Sequence, residues 1–216
     1  MKTLRTLSLL AGAVMALASH AASLKVSVVD ADGTPVEEAV VTVAPAHGNA
    51  PKVTPGATTI VKQEKMQFVP KVALVTPGTK LRFLNMDPWD HHVRGTTGNQ
   101  FGVDYVPAFQ LRQAAYVEGK PPVAAEYTAE APGVVLLGCH LHSSMTGYVY
   151  VTDTPWATKT NADGIASLDD LPAGDVKVTI WQANEIRIIP VKTVTLGAAV
   201  TQLQEKLSVR VRKRRV

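Results

Sequence analysis

One cysteine, Cys139, occurs among 216 residues. A lone thiol excludes an internal disulfide, a thioredoxin-like cysteine pair, an iron–sulfur cluster and a binuclear copper centre bridged by two thiolates. The chain also lacks a phosphate-binding glycine loop, a nucleophile–base pair and a second cluster of metal-ligating residues, which argues against an enzyme. After residue 22 no apolar stretch is long enough to span a bilayer, and none forms a convincing long amphipathic helix. Aromatic residues are few and low-complexity tracts absent, while Val and Ala are ample, a globular composition for one large or two small domains.

The N-terminus has the pattern of a signal peptide over residues 1–22. Lys2 and Arg5 give a positive start, Leu7 to Ala18 is apolar, and Ser19-His20-Ala21 offers the small residues a signal peptidase reads. The expected location is therefore the periplasm, where an odd thiol needs a role: pairing with another chain, burial, or metal binding. The formal charge of +4 misleads about the surface. Residues 22–205 carry 14 basic and 18 acidic groups, and six basic residues crowd into 206–216. That tail suits weak contact with an anionic membrane surface or an acidic partner, or is simply solvated. Export and an acidic body argue against a nucleic-acid partner.

The remaining cysteine sits in Gly138-Cys139-His140-Leu141-His142-Ser143-Ser144-Met145. Cys139, His142 and Met145 offer a thiolate, an imidazole and a thioether within one short loop. Upstream, Asn85-Met86-Asp87-Pro88-Trp89-Asp90-His91-His92-Val93 supplies a second imidazole. Two His, one Cys and a weak axial Met form the ligand set of a trigonal blue-copper site. Thiolate and thioether suit Cu(I), and imidazole suits both oxidation states, so copper is the expected cofactor.

Secondary-structure signals are overwhelmingly β. Leu24–Val28 and Ala39–Val43 flank the turn Asp30-Ala31-Asp32-Gly33, and residues 45–58 read as a linker rich in Pro, Gly and Ala. Val72–Val75, Lys80–Asn85, Val134–Leu137 and Tyr148–Val151 follow as strands, then Gly164–Leu168, Asp175–Trp181 and Val191–Leu196. Residues 109–118 leave room for one or two helical turns.

The stretch from Gln67 to Asp153 resembles a cupredoxin of the plastocyanin and amicyanin kind. Pro77-Gly78-Thr79-Lys80-Leu81-Arg82-Phe83-Leu84-Asn85, then Asp87 and His91-x-Val93, is similar to the segment carrying the family's first copper histidine. Cys139-x-x-His142-x-x-Met145-x-Gly147-Tyr148 is similar to its ligand loop, at the short spacing of amicyanin. The whole chain is also similar to proteobacterial cupredoxin-like proteins called methylamine utilization proteins, a label that does not establish a role in amine oxidation. Thr160–Leu168, Leu171-Pro172-Ala173-Gly174 and Val28–Val36 resemble a carboxypeptidase regulatory-like (transthyretin-like) β-sandwich. The implied fold is all-β: a Greek-key cupredoxin sandwich over 58–153, inserted into a small discontinuous sandwich formed by 23–46 and 156–216. The alternative makes 23–44 an edge hairpin of the cupredoxin.

The resemblance implies an exported type 1 (blue) copper protein with His91, Cys139, His142 and Met145 as metal ligands, acting in one-electron transfer with a protein redox partner. It also implies that the loop histidine emerges through an apolar patch, for which Leu141, Met86 and Pro88 stand in position. Copper delivery or storage is the alternative function, and an adhesion module with a vestigial site is a third. Matching His-x-Val puts His91 on the metal and His92 behind it as an orienting partner. His140 reads as a surface residue; were both it and His92 to face solvent, they could form a second, weak metal site. Trp89 and Trp156 read as packing residues near the centre.

Overall fold

A computed structural model describes residues 21–98 and 106–210, and every regular element among them is a β-strand. All but the last two residues of the expected signal peptide, and residues 211–216 of the basic tail, lie outside the described residues.

In chain order the strands are β1 (Ala22–Val29), β2 (Val40–Pro45), β3 (Thr59–Glu64), β4 (Gln67–Val69), β5 (Val72–Val75), β6 (Thr79–Asn85), β7 (His91–Thr97) and β8 (Val106–Gln113). There follow β9 (Ala124–Ala129), β10 (Gly133–Cys139), β11 (Thr146–Val151), β12 (Ala157–Lys159), β13 (Ile165–Leu171), β14 (Gly174–Trp181), β15 (Lys192–Leu196) and β16 (Thr201–Lys206). The middle of the chain builds a five-stranded sheet, β5-β11-β10-β7-β8, and a four-stranded sheet, β4-β3-β6-β9. Alternation turns one face of each strand inward, so Val61, Leu81, Phe83, Val93, Leu137 and Val149 pack with Phe68 in one buried cluster. The two ends of the chain build the sheets β13-β1-β16 and β12-β2-β14-β15. A second cluster, including Leu24, Val26, Val41, Val43, Ala166 and Val178, draws only on those ends.

A third, smaller cluster joins the two sets of sheets. Trp181 packs against Tyr148 and Tyr150, with ring centroids 5.3 and 5.6 Å apart, alongside Val40, Val72 and Val134. This explains the unbroken apolar run Val134-Val135-Leu136-Leu137. Val135 and Leu137 face the central core, while Val134 faces the Trp181 junction, and a strand covered on both faces loses its polar alternation. Lys159 Nζ adds a polar tie across the same boundary, donating to the Val72 carbonyl at 2.7 Å.

Two expectations are corrected. Residues 109–118 make no helical turn: β8 pairs antiparallel with β7 from Val106 to Gln113. Its period is two, since Leu111 is half-buried and Gln113 buried while Gln110 and Arg112 are exposed. The basic tail, read as starting at Lys206, is partly docked. Lys206 ends β16, which runs parallel to β1. Leu207 is buried, and Arg210 pairs with Asp32 at 2.7 Å.

Gly147, on β11 opposite Leu137, lies under Phe68. A β-carbon there would stand 2.8 Å from Phe68 Cβ, and Phe68 is fully enclosed. Gly147→Ala is expected to destabilise the fold by about 1–3 kcal/mol through overpacking, read as a lower urea midpoint. An unchanged midpoint would show that β4 yields freely.

Candidate metal centre

Strand ends and one loop bring the donors together. Cys139 is the last residue of β10 and His91 the first of β7, neighbouring antiparallel strands in which Cys139 lies opposite Val93. Cys139, Val93 and His91 all point inward and are buried. The loop 140–145 then returns the chain to β11, and the Met145 N–H donates to the His142 carbonyl at 3.0 Å, tightening it. His91 Nδ1 lies 3.1 Å from His142 Nδ1, and each nitrogen is 3.6 Å from Cys139 Sγ. The point equidistant from these three atoms is about 2 Å from each, close to the roughly 2.0–2.3 Å of metal bonds to imidazole nitrogen and thiolate sulfur. Among the described residues this is the one group of three or more His, Cys, Asp and Glu side chains drawn together so closely. Met145 is 1% exposed and packs in the same apolar cluster as Cys139.

Asp87 orients the His91 ring. A carboxylate only accepts hydrogen bonds, so its Oδ2, 2.9 Å from His91 Nε2, faces an N–H. In the neutral ring that leaves Nδ1 with its lone pair, directed at Cys139 and His142. Asp87 is itself fixed from two sides. Its Oδ1 accepts from the Lys65 N–H at 2.6 Å and its Oδ2 from the Met66 N–H at 2.9 Å. Lys65 and Met66, with φ of 52° and 58°, are the left-handed pair of the tight turn joining β3 to β4. From the other side, Asn85 Oδ1 accepts from the Asp87 N–H, while its Nδ2 donates to the carbonyls of Trp89 and Ala114. Asn85 thus folds the 86–90 turn that delivers both Asp87 and His91.

His92 does not stand behind His91. Strand alternation sends its side chain to the opposite face of the sheet, where it packs against His140 with ring centroids 4.5 Å apart. The orienting partner of His91 is Asp87, four residues upstream. Its signal lay in Asn85-x-Asp87 one short turn before the histidine, a carboxylate acceptor of the kind that orients a ligating imidazole. Desolvation first, and then the charges of His92, Arg94 and Arg112, lower the His140 pKa from its ordinary value. Neither Trp89 nor Trp156 is buried. Trp89 is 41% exposed, and Trp156 packs against the core built from the chain ends, donating its Nε1–H to the Asp170 carbonyl.

No protein-family model matches the chain, and no curated protein sequence matches it. Among solved structures, an amicyanin from Paracoccus versutus is 19% identical, with 51% of this chain and 98% of the amicyanin covered and a TM-score of 0.33. A purple cupredoxin from Nitrosopumilus maritimus is 15% identical over 44% of this chain and 99% of its own, with a TM-score of 0.33. A pseudoazurin from Sinorhizobium is 20% identical over 46% of this chain and 77% of its own, with a TM-score of 0.31.

Asp87→Asn replaces an acceptor with an amide whose NH2 must face at least one of three N–H groups. It is expected to weaken binding of a thiophilic ion, Zn(II) or Cu(I), by roughly 10–100-fold, the usual cost of losing a group that orients a ligand. Competition with a chromophoric chelator measures this. Unchanged affinity would mean that the Asp87 contact does not hold His91 in its ligating pose.

Proposed function

We propose that the chain is an exported, mononuclear type 1 copper protein that transfers single electrons, with His91, Cys139, His142 and Met145 holding the ion. The observation that carries this reading is the convergence of two imidazole lone pairs and one thiol sulfur on a single point beside a buried thioether. The donor set fits copper in both oxidation states, since imidazole serves Cu(II) and sulfur serves Cu(I). Copper bound there supplies a one-electron couple.

The chain's own residues make the rest of the proposal. His91 and Cys139 are 1% and 3% exposed, so neither can swing to follow a change in preferred geometry. Asp87 and the 65–66 turn lock the ring of His91, and the two strands lock Cys139. A cage that keeps its shape lowers the rearrangement that accompanies electron transfer. The same rigidity favours transfer over delivery, which needs ligands that release the ion. His142 is half-buried and follows Leu141, which is 57% exposed. Its outer edge is the route by which a protein redox partner would exchange electrons. Leu141 supplies apolar contact there, and the exposed Pro88 and half-buried Met86, from the turn that precedes His91, are taken as further members of the patch. Four protein donors leave no position open for a substrate, in keeping with a carrier and not an enzyme.

We further take the residues flanking 58–153 as a separate folding unit of the regulatory-like kind, on the ground that their core shares no residue with the central one. Export to the periplasm rests on the N-terminal sequence pattern.

Oxidised, copper-loaded protein is expected to show an intense visible thiolate-to-copper band that ascorbate bleaches and oxidant restores with the copper retained. Cys139→Ser should abolish the band; a band surviving in that variant would remove Cys139 from the site. Loss of the ion on each reduction would instead support delivery or storage.

Met145→Gln is expected to keep the copper but lower its reduction potential, because an oxygen donor stabilises Cu(II) relative to a thioether. Voltammetry compares the two proteins. An unchanged or raised potential would show that Met145 does not coordinate.

A further inference from the structure

The outward face of the central five-stranded sheet carries a second convergence of imidazoles. Along β7, His91 and Val93 are buried, while His92 is half-buried and Arg94 exposed. On the neighbouring chain Cys139 points in, and His140, just past the end of β10, is exposed. The β7–β10 register places Cys139 opposite Val93 and Gly138 opposite Arg94. One step further, His140 faces His92, and the backbone continues the ladder: the His140 N–H donates to the His92 carbonyl at 3.0 Å. Directly opposed residues on antiparallel strands hold their β-carbons about 4.5–5.5 Å apart, and here the ring centroids are 4.5 Å apart with the planes inclined at 44°. Among the described residues neither ring forms a hydrogen bond or an ion pair with another side chain.

We propose that His92 and His140 form a second, solvent-facing site for a divalent metal ion, with water completing the coordination and Cu(II) preferred over Zn(II) and Ni(II). Two imidazoles fixed side by side act as a chelate, because the strand ladder has already ordered both backbones. Imidazole suits zinc, copper and nickel, and at a given nitrogen site the affinity order peaks at Cu(II). The surroundings keep the site weak. Arg112 lies opposite His92 on β8, and Arg94 is laid across Gly138 in the next cross-strand row, its Nε 3.1 Å from where a β-carbon would stand. Both guanidinium groups repel a cation. A site with only two protein ligands and two like-charged neighbours exchanges its ion readily, whereas the buried centre behind it does not. The pair are the chain neighbours of His91 and Cys139, so an ion held here waits one residue step from each of two inner donors, on the far side of one sheet layer.

This site rests on the cross-strand pair and not on the copper reading of the inner centre. The full chain is titrated with Cu(II) under equilibrium dialysis, with electron paramagnetic resonance recorded at each point. Two equivalents are expected to bind. The second should give an ordinary tetragonal signal with nitrogen coupling and add nothing to the visible thiolate band. His92→Ala and His140→Ala should each weaken the second equivalent by at least the roughly 10–100-fold that loss of a merely orienting group costs a metal site, leaving the first unchanged. Arg112→Gln, which removes a like charge, should tighten it. His47→Ala controls for an exposed histidine elsewhere. If the inner centre is not a blue site, no thiolate band appears at any point, yet the tetragonal signal still depends on His92 and His140. A wild-type stoichiometry of one, or a second equivalent that survives both histidine substitutions at full affinity, overturns the proposal.

Discussion

The hydrogen bond between Asp87 and His91 is the contact on which the inner centre depends. Cys139 is positioned by strand pairing alone, and the sheet tolerates no alternative for it. An imidazole is different: it has two nitrogens, two tautomers and a ring free to flip. Asp87 removes those freedoms, and its own position comes from residues distant in sequence. Lys65 and Met66 adopt left-handed conformations that cost non-glycine residues on the order of 1 kcal/mol or more each. Their two N–H groups then meet the Asp87 carboxylate at 2.6 and 2.9 Å, and hydrogen bonds to a charged acceptor contribute roughly 1.5–3 kcal/mol each. The strained turn is thus stabilised by the residue that orients His91. Asn85 closes the arrangement by holding the intervening loop at both ends.

A sheet has two faces, and this one divides its outer face between two uses. On β10 and β11, Val134, Tyr148 and Tyr150 present an apolar surface that the sandwich built from the chain ends covers through Trp181. On β7 and β8, Arg94 and Arg112 are exposed, with His92 opposite Arg112 and His140 beyond it on the β10 side. The covered half buttresses the strand that carries Cys139 into the centre. The open half backs directly on the donors and presents Arg94, Gln110 and Arg112 to solvent. The attached sandwich therefore stiffens the site without closing its surroundings.

Much of this was legible in the sequence because alternation and turn chemistry are local. Lys80–Asn85, Val134–Leu137 and Tyr148–Val151 became strands where their patterns put them. The grouping of His91, Cys139 and His142 could be read from residue types and spacing, since few other sets of donors serve a soft metal. What escaped was non-local. Asp87 meets Lys65 and Met66 across 22 and 21 residues, and nothing near Asp87 announces that turn. Thr201–Lys206 has a single apolar residue, Leu203, to mark it as a strand, and its parallel partner β1 lies far away at the start of the chain. Residues 109–118 were ambiguous because only Phe109 and Leu111 alternate as apolar strand residues before the pattern breaks, and the ladder with β7 that extends it to Gln113 is non-local. Trp156 lay close in sequence to the ligand loop, but β11 carries the chain away to the other core before it arrives.

The adjacent pairs His91-His92 and Cys139-His140 make strand register decisive for the chemistry. A slip of one residue turns every side chain of a strand to the other face. Slipping β7 and β10 would bury His92 and His140 and expose His91 and Cys139, leaving imidazoles inside with no thiol. The sequence forbids this through the neighbouring positions, not through the ligands. The slipped strands would carry Arg94 into the apolar core, turn Val93 to the open face and take Val135 and Leu137 out of the central core, and an unpaired buried charge costs far more than a sheet gains from any alternative pairing. Gly138 reinforces the choice, since its missing side chain gives Arg94 room on the outer face. Selection between a sulfur-containing centre and an imidazole-only one is thus made by valines, leucines and one arginine, which fix the face each donor occupies before any metal ion arrives.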